Sequence, residues 1–329
     1  MNPGATMTTP SVTIRTLSFR AVSRKRGIRF CLVLGTIACA AVLLFSSNVA
    51  FANGAKRPRI LGISGVTILV SDVPASRTAY MHLLAPRYSC DFCEDSPIPG
   101  MQLGSGQIIA LQAAPAPQPK NLLDEIFFLT DDLKQMRGFL KSQRIAFEEF
   151  SAGRSPLRLR ISDPDGHHIS FVQTIAPPSM YPDGGIPLHL IHAGFIVRNE
   201  AAMDHLYRDI LGFRPYWHGG MKNGETSWIS LQVPDGTDWI EYMVNLPADP
   251  DQHLRGVMNH IAIGVADIQT EREQLVKNGV HLTEEPKLGR DGKWQLNLYD
   301  PDQTRIEFME FTPKEKPCCS EYTGPHPKP

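Results

Sequence analysis

The chain has 329 residues, with 33 basic and 34 acidic side chains, a net charge of −1 and 42% hydrophobic residues. That length can bury two ordinary domain cores. The near-neutral balance, with no basic run outside the first residues, argues against nucleic acid or an anionic membrane surface as a partner.

The N-terminus reads as an export signal. Arg15, Arg20, Arg24, Lys25, Arg26 and Arg29 precede an apolar run from Phe30 to Phe45, and no acidic residue occurs before position 53. Ala50-Phe51-Ala52 then supplies a small-x-small cleavage site. The run is short for a bilayer span, so cleavage is preferred over a retained anchor. Residues 1–52 are expected to be removed, which leaves a periplasmic or secreted chain with no membrane contact. The leader takes six basic and no acidic residues with it, so the remainder carries a net charge of −7.

Four cysteines lie beyond the leader: Cys90, Cys93, Cys318 and Cys319. An oxidising compartment favours disulfides, either Cys90 with Cys93 or a link from the tail to the first domain. A metal role for Cys90-Asp91-Phe92-Cys93 is the weaker reading, because no second CxxC pair stands at zinc-site spacing. No His follows the motif, so haem attachment is excluded.

From position 60 the chain repeats itself. A strand ending in Val/Thr-x-Asp/Asn leads into a helix at Val70-Ser71-Asp72, Thr130-Asp131-Asp132, Val197-Arg198-Asn199 and Val265-Ala266-Asp267. Each terminal Asp or Asn is a natural N-cap. Helical spacing follows, as in Leu133, Met136 and Leu140, with Gly212 and Gly279 as stops for the third and fourth helices. Three similar turns come next: Asp163-Pro164-Asp165, Val233-Pro234-Asp235 and Asp300-Pro301-Asp302. These predict strand connections. The unit is a strand, a helix and then several strands, repeated four times. The first pair makes a domain over 57–176 and the second a domain over 186–313. A Pro/Gly-rich linker at 176–186 separates them. Residues 314–329 lack periodicity and are expected to be disordered.

Paired βαβββ units with His in the first strand and Glu in the last resemble the vicinal oxygen chelate superfamily, which includes glyoxalase I, extradiol dioxygenases and bleomycin-resistance proteins. The most specific stretches are Asn259-His260-Ile261-Ala262-Ile263 and Asp300-Pro301-Asp302 with Arg305-Ile306-Glu307. The resemblance implies an α+β fold of two tandem domains, each a cupped mixed sheet, with metal ligands projecting into the cup.

In the second domain, His192 and Glu241 belong to the first and last strands of unit three. His260 and Glu307 hold the same places in unit four. Two neutral imidazoles and two carboxylates suit one divalent ion (Zn, Ni, Co, Mn or Fe(II)) and leave room for substrate. A lone His on an apolar strand is usually a hydrogen-bonded core residue; four residues on one predicted pattern favour a metal. The first domain is a control. Gly65, Glu125 and Ser170 stand where His192, His260 and Glu307 stand, so this half is expected to lack the ligand set. His167 and His168 are read as turn and surface residues.

An inert first domain before a metal-bearing second one resembles the extradiol dioxygenases. That pattern, however, places a Tyr ten residues before the last Glu and an acid–base His further upstream. Here the Tyr position is Asn297, and no His lies between His281 and Glu307. The extra carboxylate Glu241 resembles bacterial glyoxalase I better, which implies proton transfer next to a chelated carbonyl with Glu307 or Glu241 as base. A signal peptide argues against glutathione adducts, which are cytosolic substrates. Trp217, Trp228, Trp239, Tyr242 and Trp294 enrich this region in aromatics. Most are expected to pack the sheet and some to line a pocket for a small apolar or aromatic substrate. The alternatives are a ring-cleaving dioxygenase and a non-enzymatic binding protein. Pairing of units within one chain makes a monomer sufficient, with a homodimer as the other option.

Overall fold

The computed structural model describes residues 55–84, 88–89, 100–150, 158–173 and 188–329. The expected leader, Cys90, Cys93 and the linker at 176–186 lie outside the described residues.

Each unit opens on an apolar strand: β1 (Ile60–Val70), β5 (Leu123–Thr130), β9 (His189–Ile196) and β13 (His260–Val265). The helices that follow are α1 (Val73–Leu84), α2 (Leu133–Ser142), α3 (Glu200–Asp204, continued as a π-helical turn His205–Ile210) and, after an additional helix α4 (Gln252–Met258), α5 (Ile268–Lys277). The four expected caps are in place. Asp72, Asp132, Asn199 and Asp267 accept from the amides of Ala75, Gln135, Ala202 and Thr270, which satisfies donors the first helical turn leaves open. Three strands complete each unit: β2 (Tyr88–Ser89), β3 (Gly100–Leu103) and β4 (Ile108–Ala113); β6 (Glu148–Phe150), β7 (Arg158–Ser162) and β8 (His168–Val172); β10 (Arg214–Gly219), β11 (Trp228–Gln232) and β12 (Trp239–Met243); β14 (Lys287–Leu288), β15 (Trp294–Tyr299) and β16 (Arg305–Glu310).

Among the described residues these strands form two eight-stranded mixed sheets, ordered β2-β3-β4-β1-β5-β8-β7-β6 and β10-β11-β12-β9-β13-β16-β15-β14. This is the expected α+β arrangement of two tandem modules. In each sheet the first strands of both units pair antiparallel at the centre. Each is flanked by the last strand of its own unit in parallel. Side chains alternate between the faces. Ile240, Tyr242, Ile261, Ile263, Ile306 and Phe308 join the main apolar core under the helices. Trp239, Ala262 and Met309 belong to a separate cluster with Tyr216 and Phe311. His192, Glu241, His260 and Glu307 share that second face.

The Asp-Pro-Asp turns, expected only to connect strands, also join the modules. Asp302 Oδ2 accepts from Ser71 N at 2.8 Å, and Asp165 Oδ2 accepts from Arg198 N at 2.6 Å. Asp235 Oδ2 accepts from Ile60 N at 2.9 Å. Gln107 closes the centre: its amide donates to Ile63 O at 2.7 Å and to Leu190 O at 2.8 Å, and accepts from Leu190 N at 2.6 Å. At Gly236 a Cβ would stand 1.8 Å from Leu61 O, so only glycine allows this approach.

The tail is not the disordered segment expected. It lies along the second sheet and covers the edge strand β10. Thr323 N donates to Tyr216 O at 3.0 Å, and Trp217 Nε1 to Cys318 O at 3.2 Å. Gln232 Nε2 donates to Pro325 O at 2.7 Å, and His189 Nδ1 lies 2.8 Å from Lys328 O. A segment without periodicity is ordered here because an open sheet edge and buried side chains satisfy its backbone. Of the two cysteine pairings left open, the link from the tail to the first domain is excluded: Cys318 is disulfide-bonded to Cys319.

Candidate metal centre

The four residues named from the repeat meet at one place. His192 Nε2 lies 3.0 Å from His260 Nε2. Glu307 Oε2 is 3.7 Å from both nitrogens, and Glu241 Oε2 is 3.7 Å from His260 Nε2. One donor atom each from His192, Glu241 and His260 falls within 4.8 Å of the others. The register accounts for this. Gly194 of β9 pairs with His260, and Ala262 pairs with both His192 and Glu307. Gly194 makes the room: a Cβ there would stand 2.0 Å from His260 Cε1.

The cluster fits a divalent ion on its own geometry. Donors held at about 2.1 Å from one ion stand about 3.0–4.2 Å apart, and the His192–His260, Glu307–His192, Glu307–His260 and Glu241–His260 separations of 3.0 and 3.7 Å lie in that window. The electrostatics agree. Both imidazoles are fully buried. Burial, reinforced by the Arg305 guanidinium, holds each well below the usual histidine range, so both are neutral and able to ligate. Burial and then Glu307 push Glu241 up to about 8, and burial raises Glu307. Arg305 Nη2 lies 3.8 Å from Glu307 Oε2, and a divalent ion would add the positive charge that two carboxylates sharing a dry site call for. His260 Nδ1 is oriented by Met258 O at 3.2 Å, and His192 packs against Trp239 with ring centroids 4.7 Å apart. Among the described residues, His192 Nδ1 has no hydrogen-bond partner.

A cavity of about 90 Å³ opens on the cluster; Trp239, Glu241, Glu307, Arg305, Asp291 and Tyr322 are part of its wall. Ser230 Oγ donates to Glu241 Oε1 at 3.3 Å. Trp217 and Trp228, stacked with centroids 6.4 Å apart, belong to the same wall. Tyr242 and Trp294 pack against the main core instead. Behind the wall, Lys293 is fully buried, its ammonium without a hydrogen-bond partner and 4.6 Å from the Trp239 ring centroid. Burial brings it down to about 8. Asp291, Lys293 and Tyr322 were not legible as site residues in the sequence. Tyr322 lies in a stretch without periodicity, and Asp291 in a turn that looks ordinary.

The first module has a different cluster at the same place. Gly65 pairs with Phe127, which pairs with Ser170, just as His192 pairs with Ala262 and Ala262 with Glu307. Ser170 Oγ donates to Glu125 Oε1, and Arg158 Nη2 lies 3.5 Å from Glu125 Oε2. Ala110 occupies the position of Glu241. A histidine could not enter at position 65, because a Cβ there would lie 2.3 Å from Ile108 O. His167 sits in its turn, with Nδ1 2.8 Å from Asp163 Oδ2.

The fold is that of two tandem vicinal-oxygen-chelate modules, and the cluster lies in the second. Residues 189–308, the segment that carries all four candidate ligands, match the Glyoxalase/Bleomycin resistance protein/Dioxygenase superfamily. Among solved structures, the chain is similar to a mutant homoprotocatechuate 2,3-dioxygenase from Brevibacterium fuscum, with TM-score 0.60 and 19% identity over 82% of this chain and 75% of that one. The anaerobic complex of that enzyme with 3,4-dihydroxyphenylacetate gives TM-score 0.56 and 19% identity over 82% and 84%. The 2,3-dioxygenase LapB from Pseudomonas sp. KL28 gives 0.55 and 16% over 84% and 95%. These likenesses establish a shared fold. No curated protein matches the chain.

Proposed function

We propose that this chain is an exported, divalent-metal-dependent enzyme that moves a proton next to a carbonyl of a small molecule bearing two neighbouring oxygens. The observation that carries the reading is the convergence of His192, Glu241, His260 and Glu307 beside a cavity. These four residues would hold the ion. A divalent ion held there would act as a Lewis acid on the substrate carbonyl and would stabilise the negative charge left by proton removal. The neutral imidazoles and the two carboxylates balance its charge. Trp239, Trp217 and Trp228 exclude water and provide an apolar wall for the substrate body. A carboxylate of the cavity takes the proton; Glu241, on the cavity wall, and Glu307 are the bases the sequence nominates. Export is supported by the leader motif, and the pairing of all four units within one chain makes a monomer sufficient.

A ring-cleaving dioxygenase is the second reading. It is favoured by a fold shared with homoprotocatechuate 2,3-dioxygenase over 82% of the chain. Against it, Asn297 stands opposite Glu307 and donates to Glu284. Among the described residues, no histidine other than the candidate ligands belongs to the site.

Elemental analysis of the purified chain beside a His260→Ala, Glu307→Ala double variant tests the reading. Near-stoichiometric metal in the parent and none in the variant is expected. Iron, with oxygen uptake on catechols, would move the assignment to the dioxygenase reading. A parent that stays metal-free after reconstitution would leave a binding protein.

A further inference from the structure

Asp291 lies in the wall of the metal cavity but outside the ligand cluster. Its carboxyl is buried, and among the described residues no cation makes an ion pair with it, although the Lys293 charge acts on it. Its partners are neutral donors: Lys293 N and Gln295 Nε2 at 3.2 Å on Oδ1, and Tyr322 Oη at 3.2 Å on Oδ2. The turn that carries it is built for it. Gly289 N donates to Lys293 O at 2.7 Å, and a Cβ at Gly289 would stand 2.4 Å from Asp291 Oδ1. The tail fixes the turn from outside. Lys314 N and Glu315 N donate to Gly292 O, and Tyr322 Oη also reaches Asp291 O at 3.0 Å.

We infer that Asp291 is the acid–base residue of this site and that Tyr322, brought in by the tail, is its positioning residue. The inference rests on the metal-enzyme reading above and replaces Glu241 and Glu307 as the bases. The reason is chemical. A carboxylate bound to a divalent ion has its lone pairs engaged and its basicity lowered. Asp291 shares the cavity without that bond, so its carboxylate keeps its basicity and can take and return a proton. Its charge reaches both Glu241 and Glu307, and burial raises its own pKa, which strengthens it as a base. Among the described residues, Lys293, Tyr322, Tyr216, Glu241, Glu307, Arg290 and Arg305 are the titratable or charged groups around it. In turnover the substrate C–H bond breaks, its electron pair forms the enediolate, and the proton passes to an Asp291 oxygen. The proton then returns to the neighbouring carbon, and the carboxylate is regenerated.

The test uses acetohydroxamic acid, a two-oxygen chelator that loses its O–H proton on binding a metal. The O–H bond breaks, the pair stays on the hydroxamate oxygen, and the proton goes either to the protein or to buffer. Calorimetric titration of the metal-loaded full chain in buffers of different ionisation enthalpy counts that proton. The parent is expected to keep it. Asp291→Asn is expected to release one proton per hydroxamate at unchanged metal content, and Asp291→Glu to restore retention. Tyr322→Phe is expected to displace the pH profile of retention while binding the same metal. Release of the proton by the parent, or retention by Asp291→Asn, would overturn the inference while leaving the metal site standing. A metal-loaded parent that does not bind hydroxamate would defeat both this inference and the enzyme reading.

Discussion

Tyr80 and Asp300, 220 residues apart in the chain, meet at 3.3 Å across the junction of the two modules. Tyr207 meets Asp163 in the same way at 3.2 Å. Each phenol comes from the helix of one module and each carboxyl from an Asp-Pro-Asp turn of the other. Both phenols are fully buried. Tyr80→Phe and Tyr207→Phe keep the ring and remove one buried bond to a carboxyl, so each is expected to cost about 1.5–3 kcal/mol. Urea unfolding of the two single variants measures it. An unchanged midpoint in both would mean that these bonds do not hold the modules together.

Asp300 also gives the stability a pH dependence. Burial, with Asp302 adding to it, raises its pKa from 3.8 to about 6. Between those values the folded chain holds a proton that the unfolded chain has released. Stability therefore falls as pH rises through this window and levels off above it. The full effect is on the order of 3 kcal/mol at most. Asp300→Asn is expected to flatten that part of the curve, as thermal melts across the window would reveal.

Gly194 lies directly against the His260 ring of the candidate metal site. Gly194→Ala is expected to push the His260 ring aside and lower metal affinity by roughly 10–100-fold, the scale seen when support around a ligand is lost. The clash is with a side chain, so far-ultraviolet circular dichroism should stay native. Full metal retention would show that His260 is not a ligand.

The first module should not regain a site by simple substitution. Gly65→His forces a Cβ against the Ile108 carbonyl and is expected to destabilise the fold by about 1–3 kcal/mol, with no added metal in elemental analysis.

Truncation after residue 313 removes Tyr322 and His326 from Tyr216, with which they make ring contacts at 4.8 and 5.9 Å. It also uncovers Lys293, Asp291 and the edge of β10. A loss of about 2 kcal/mol is expected, or roughly 4–8 °C in Tm, together with a change in tryptophan emission from Trp217. A truncated chain as stable as the parent would make the tail an accessory.

Much of this architecture was legible in the sequence, because it rests on local rules that repeat. Asp72, Asp132, Asn199 and Asp267 cap helices through bonds three residues long. The strand alternation that places Ile261 under the helices puts His260 on the other face. With two such strands in each of two units, the convergence of His192, Glu241, His260 and Glu307 could be read from the repeat. The other features depended on tertiary structure, because they join segments with no common period. The role of the Asp-Pro-Asp turns as clamps appears only when the modules face each other. The order of the tail comes from the open edge of β10, far away in the chain. The wall of Asp291 and Tyr322, with Lys293 behind it, is formed by a turn and a tail whose local sequences carry no signal. Local periodicity determined which residues could meet at the candidate site; long-range packing decided what surrounds them.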